Sequence, residues 1–255
     1  MKQNAYLLTV LKYSLAACGF ALILAGCEYL RLLQFKNQFK QIERYFQIES
    51  ASSGTTLTCL RPILTPDDAQ LIFDDTPTSI RSNETSKRWH YDFQKRYIRG
   101  HGETANFDFS QILTFEQGKM TTLQYTAAFL SVFDGGLLQR ILHAIGQGTL
   151  AENEERLEFQ AGLDNTPRPT QQQFKTAWGM PYAILPVESE VRHLYVYTLS
   201  APHIPKGEPV SLLTIWLVFT PESQSLERLT AWYKHHSLEL SFTESAMAGY
   251  INIDL

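Results

Sequence analysis

Seven histidines, three cysteines and two acidic pairs are the residues whose types could do chemistry in this 255-residue chain. No HExxH, GxSxG, SxxK, GxGxxG or P-loop spacing occurs among them, so the common metal, nucleophile and phosphate devices are missing from the sequence. His235 and His236 are adjacent; on a strand their rings would point to opposite faces and could not chelate one ion together. His90 and His193 fall on different strand faces of two similar segments described below. No metal and no cofactor is therefore expected. Asp67-Asp68 lies where carboxylates cap a helix start, and Asp74-Asp75 precedes Thr76-Pro77 in a turn pattern, so both pairs read as structural. Cys59, in the apolar run Leu57-Thr58-Cys59-Leu60, reads as a buried small hydrophobe. Residues 87–101 interleave basic and aromatic types: strand alternation explains the aromatics and edge protection the charges. Lys95, Arg96 and Arg99 near that strand's end remain candidates for touching lipid headgroups. No catalytic residue is expected.

Cys27 is the one residue for which the surrounding pattern implies a reaction. Lys2 and Lys12 mark a positive leader, residues 13–25 form an uncharged, mainly apolar run, and the run closes on Leu24-Ala25-Gly26-Cys27. Small residues at Ala25 and Gly26 suit a signal peptidase, and the Cys27 thiol can accept a diacylglyceryl group. The segment resembles the lipobox of bacterial lipoprotein precursors. The resemblance implies a signal peptide over residues 1–26, cleavage before Cys27 and a lipidated N-terminal cysteine. The competing readings fit less well. An ordinary secretory signal wants an A-x-A-like cut site, and a retained transmembrane helix needs about 20 apolar residues. Two or more acyl chains hold a protein firmly to a bilayer. The expected location is thus the cell membrane or outer membrane, with the globular part facing the periplasm or the exterior. Glu28, in place of the aspartate of the inner-membrane retention signal, points to the outer membrane.

Removal of residues 1–26 takes two lysines and no acid, leaving 20 basic against 26 acidic residues and a net charge of −6. That balance argues against nucleic acid as a partner, since nucleic-acid binding favours a basic face. With Cys18 removed and Cys27 acylated, Cys59 has no disulfide partner, and stability must come from the core.

The mature chain looks duplicated. Pro66–Pro77 (PDDAQLIFDDTP) and Thr170–Pro181 (TQQQFKTAWGMP) are related by an offset of 104. The same offset carries residues 88–93 (RWHYDF) onto 192–197 (RHLYVY) and 113–115 (LTF) onto 217–219 (LVF), after which the second copy runs two residues longer. Each copy reads as a helix, a turn and three strands, with Leu113–Met120 forming a hairpin. Before the first copy, Leu32, Phe35, Phe39, Ile42 and Phe46 recur at spacings of three and four, which predicts one amphipathic helix over residues 28–49. Residues 127–158 supply its counterpart. The expected fold class is α+β, as two tandem repeats over residues 27–126 and 127–255, each with helices packed on a three- to four-stranded antiparallel sheet.

Thr170, Gln173, Gly179, Pro181, Tyr195, Tyr197 and Phe219 carry a likeness to a known family, echoed in the first copy by Pro66, Pro77, Trp89, Tyr91, Phe93 and Phe115. In these residues the chain resembles the SmpA/OmlA family of outer-membrane-assembly lipoproteins, and its tandem form is similar to the secreted β-lactamase inhibitor proteins. Asp75, where the family has the turn glycine, is a departure. The resemblance implies two helices against a three-stranded antiparallel sheet and no catalysis. The expected function is a membrane-anchored envelope lipoprotein acting as a non-catalytic binding or scaffolding module. It would hold the membrane through the Cys27 lipid and engage an envelope protein partner. The alternatives are an envelope hydrolase with an unrecognised site and a membrane-held inhibitor of a secreted enzyme.

Overall fold

A computed structural model describes residues 29–51, 53–98, 106–126, 129–151, 156–164, 166–187, 190–200 and 211–252. Helix α1 (residues 29–38) runs through a 3-10 turn (Phe39–Gln41) into the single turn α2 (Ile42–Tyr45). There follow β1 (Phe46–Ala51), β2 (Gly54–Cys59), α3 (Pro66–Phe73), β3 (Ser79–Ser82), β4 (Ser86–Lys95), β5 (Phe109–Glu116) and β6 (Lys119–Thr126). The later part comprises α4 (Gly135–Gln147), β7 (Thr149–Leu150), β8 (Arg156–Gly162), α5 (Gln171–Trp178), β9 (Ala183–Val187), β10 (Glu190–Leu199), β11 (Leu212–Phe219), β12 (Leu226–Tyr233), β13 (His236–Phe242) and β14 (Ala246–Asn252).

Local chemistry sets the boundaries of these elements. Thr65 and Asp68 close a capping box at the start of α3, with Pro66 at the first helical position, and Asp74 ends the helix in the left-handed region at φ 44°. Thr170 and Gln173 form the equivalent box on α5, and Gly179 ends it. Along β4, Trp89, Tyr91, Phe93 and Lys95 are buried while their neighbours are more exposed, the period-two pattern of a half-covered strand. Gln117 and Gly118, at φ 49° and 74°, turn the chain between β5 and β6, since two successive positive φ values match the twist of a tight hairpin.

The expectation of two small sheets, each under its own helices, is wrong. All the described strands belong to one antiparallel sheet of 14 strands, in the order β1-β2-β6-β5-β4-β10-β11-β12-β13-β14-β8-β7, with β3 and β9 paired along the same edges of β4 and β10 by which those two strands meet each other. The offset of 104 reappears inside that sheet as strand register. Trp89 faces Leu113 and His193 faces Leu217, Ser79 faces His90 and Ala183 faces Leu194, and a bulge follows Thr114 just as one follows Val218. The hairpin β13–β14 has no counterpart among the described residues before β7, and it is β14, not β12, that pairs with β8.

The two segments fuse where β4 meets β10. Tyr197 pairs with Lys95, Thr198 with Gln94 and Leu199 with Phe93. Thr198 is Gln94 displaced by 104, so an approximate two-fold axis passes between equivalent residues. Antiparallel pairing about such an axis satisfies the open backbone groups of both edges. This is why the halves merge instead of packing face to face. The residues 28–49 expected as one helix also divide, because Phe46 leaves the helical path to pair with Cys59.

The sheet curls. Helix α4 touches β1 near one end of the strand order and β8 near the other, and it also crosses the 3-10 turn. That crossing is close: a Cβ on Gly146 would lie 2.5 Å from Lys40 N. Among the described residues no helix is long and apolar enough to cross a membrane.

Candidate functional site: an apolar cavity inside the curled sheet

Alternation along every strand sends one set of side chains to the concave face, and pairing aligns them into rows. One row runs Tyr195, Ile215, Ala231, Leu238, Ile251, Leu157 and Leu150 across seven strands without a charged residue. Helices α1 and α4 lie over this face but do not fill it. Between them and the sheet a cavity of about 630 Å³ remains, with a lining that is apolar almost throughout. That volume falls within the range of about 300–1,000 Å³ found for ligand sites.

Aromatic rings from both halves build one wall. Phe93 stacks on Phe109 at 4.8 Å between centroids, Phe109 on Phe129 at 3.8 Å and Phe129 on Trp178 at 4.9 Å. The Trp178 Nε1–H donates to Phe129 O at 2.7 Å, which fixes the last ring of the stack. Opposite, α1 presents Leu32, Phe35 and the stem of Lys36 to the cavity. The Lys36 ammonium donates to Gly148 O at 2.5 Å. Burial, with the charge of Lys40 beside it, holds its pKa below the ordinary lysine value.

Two polar clusters pin the helices around the cavity. The Arg31 guanidinium donates to both carboxylate oxygens of Asp68, with Nε 2.9 Å from Oδ2 and an Nη2 hydrogen bond of 2.8 Å to Oδ1. Burial alone would raise the Asp68 pKa, but the donors from Arg31 and Thr65 outweigh it and hold the carboxyl below the usual aspartate value. On the other side, Tyr233 donates to Asp75 Oδ2 at 2.7 Å and Lys234 lies 3.3 Å from the same oxygen, tying the end of α3 to the β12–β13 turn. Burial first, then the hydrogen bond to Asp75 and the Asp75 charge, pushes the Tyr233 phenol well above its ordinary range. The acidic pairs that read as helix cap and turn therefore also act as tethers.

Cys27 and the residues Leu24, Ala25 and Gly26 lie outside the described residues, as does Arg99. Lys95 does not suit a headgroup contact: it is only 5% exposed, and its ammonium sits 4.8 Å from the Tyr97 ring centroid and 4.9 Å from that of Phe107. Cys59 is buried, and burial pushes its thiol up to about 12. His235 falls in the turn before β13, whereas His236 faces the cavity. His193 is buried against Phe219 with Nε2 2.7 Å from the Gln171 amide, and burial with nearby Lys175 lowers its pKa to about 4. Among the described residues no three His, Cys, Asp or Glu come together in a group able to hold a metal ion.

No protein-family model, curated protein or solved structure matches this chain.

Proposed function

We propose that this protein is a non-catalytic binding module of the cell envelope, anchored through a lipid at Cys27, whose interior takes the hydrocarbon part of a lipid-like ligand. The observation that supports the reading is the apolar cavity of about 630 Å³ left between the curled sheet and its helices. An apolar cavity of this size gains packing contacts when an apolar group enters it. Each methylene that moves into it from water gains about 0.8 kcal/mol. Tyr29, the first described residue, lines the cavity. A lipid at Cys27, two positions earlier, would thus keep the cavity close to the bilayer that supplies such ligands.

Extraction of the protein from membranes and mass spectrometry under native conditions tests both parts. The expected result is a chain that begins at an acylated Cys27 and carries a second, non-covalent lipid mass lost on organic extraction. An unmodified residue 27 would remove the anchor. A chain that never retains or takes up an apolar ligand would remove the binding role.

A further inference from the structure

Gln111 is a polar side chain of the lining with a hydrogen-bond donor that the described residues do not use. Gln111 projects from β5 into the cavity wall, is 6% exposed, and its Nε2 has no hydrogen-bond partner among the described residues. Its cross-strand neighbours are Tyr91 on β4 and Tyr125 on β6, and Tyr125 in turn faces Thr55 on β2. These four residues make a polar stripe across four strands, flanked by the apolar rows Phe93–Phe109 on one side and Trp89–Leu113–Leu123–Leu57 on the other. The other members differ from Gln111: Tyr91 donates to Asp75 O at 3.4 Å, Thr55 pairs with Ser50 at 3.3 Å, and Tyr125 is only half-buried. A buried amide donor with no acceptor is costly and is rarely kept without use.

We infer that Gln111 Nε2 donates to a carbonyl oxygen of the bound ligand, which makes the ligand an acyl ester rather than a plain hydrocarbon. This inference rests on the proposed binding role and adds the polar group that the site recognises. A neutral ester carbonyl suits a neutral amide donor. A free carboxylate would have to shed its hydration among apolar walls without a cation at Gln111, at much greater cost. The alkyl chain then runs along the row of Ile215, Ala231 and Leu238, and the ester sits at the polar stripe.

The discriminating pair of probes is hexadecanoyl glycerol and hexadecyl glycerol, an ester and an ether that differ in the carbonyl. The full chain, released from detergent under native mass spectrometry, is offered both together and, separately, hexadecanoate. The wild type is expected to carry the ester over the ether by about tenfold, the worth of one such hydrogen bond. Gln111→Leu is expected to bind both equally and to melt at or above the wild-type temperature, because the orphan donor is gone. Should Gln111→Leu fail to fold, Gln111→Met keeps the side-chain length and serves the same comparison. Equal binding of ester and ether by the wild type, or a preference that survives either substitution, overturns the inference and leaves the binding role standing. Hexadecanoate displacing the ester overturns the choice of an ester. Failure of the wild type to bind any of the three overturns the binding role itself.

Discussion

The hydrogen bond from Tyr233 to Asp75 Oδ2, 2.7 Å long, joins residues 158 positions apart and belongs to both halves of the chain. Asp75 closes the turn after α3, whereas Tyr233 ends β12, so this contact and Lys234 hold the first helix-turn against the second half's hairpin. Tyr233→Phe keeps the ring and removes only the donor, leaving a largely covered carboxylate short of one partner. The expected cost is about 1–2 kcal/mol of unfolding free energy, read by urea titration. An unchanged midpoint would show that Lys234 alone satisfies Asp75.

His193 makes stability depend on mild acid. Its folded pKa, lowered to about 4 from 6.5 by burial and Lys175, keeps the ring neutral where the unfolded chain would be protonated. For a base with a depressed folded value, the unfolded state binds more protons, so stability is full above pH 6.5 and falls as pH drops toward 4. A fall from 6.5 to about 4 corresponds to about 3 kcal/mol. His193→Leu should flatten the melting temperature across that window, and a slope that persists would point to another group.

Asp68 acts at lower pH. Its carboxyl lies below the ordinary value of 3.8, so its contribution is present above that value and is lost as pH falls through the lower folded one. Because Arg31 is on α1, the expected early consequence is release of that helix. Amide exchange over residues 29–38 should rise in Asp68→Asn at neutral pH and in the wild type only in strong acid. Equal exchange in the two proteins at neutral pH would refute the tether.

Much of the local structure was legible, and the reason lies in which interactions are local. The capping pairs Thr65–Asp68 and Thr170–Gln173 span three residues, and the alternation of Trp89, Tyr91 and Phe93 is carried by one strand. The 104-residue offset was visible because equivalent strands keep equivalent faces. The merging of the two segments was not legible, since Gln94 and Thr198 carry no mark of pairing with each other. Nor was the end of α2: Phe39, Ile42 and Phe46 keep a helical spacing, yet Phe46 is drawn into a strand by Cys59, a partner set by tertiary contact. The cavity escaped for the same reason. Ile72, Gln111, Ala231 and Ile251 each look like ordinary core or strand residues, and only the curl of the sheet brings them around one volume.

Gly146 tests how tightly the two ends of the sheet are bridged. A side chain there would meet Lys40 N at 2.5 Å and the Phe39 carbonyl carbon at 2.6 Å, both backbone atoms that cannot rotate away. Gly146→Ala is therefore expected to cost about 1–3 kcal/mol despite the better helix propensity of alanine. A rise in melting temperature would mean that the α4 crossing gives way easily.

Ala231 offers a way to close the cavity without disturbing its walls. It lies on β12 between Ile215 and Leu238, and its small side chain leaves open the space that the neighbouring rows enclose. Ala231→Phe places a ring into that space, where it gains packing contacts instead of displacing them. The expected result is a protein as stable as the wild type, within about 1 kcal/mol, that has lost most of its uptake of an apolar fluorophore such as anilinonaphthalene sulfonate. Retained uptake at full stability would show that the dye, and by extension a natural ligand, binds elsewhere. A marked loss of stability would show instead that the space near Ala231 is already filled by moving side chains.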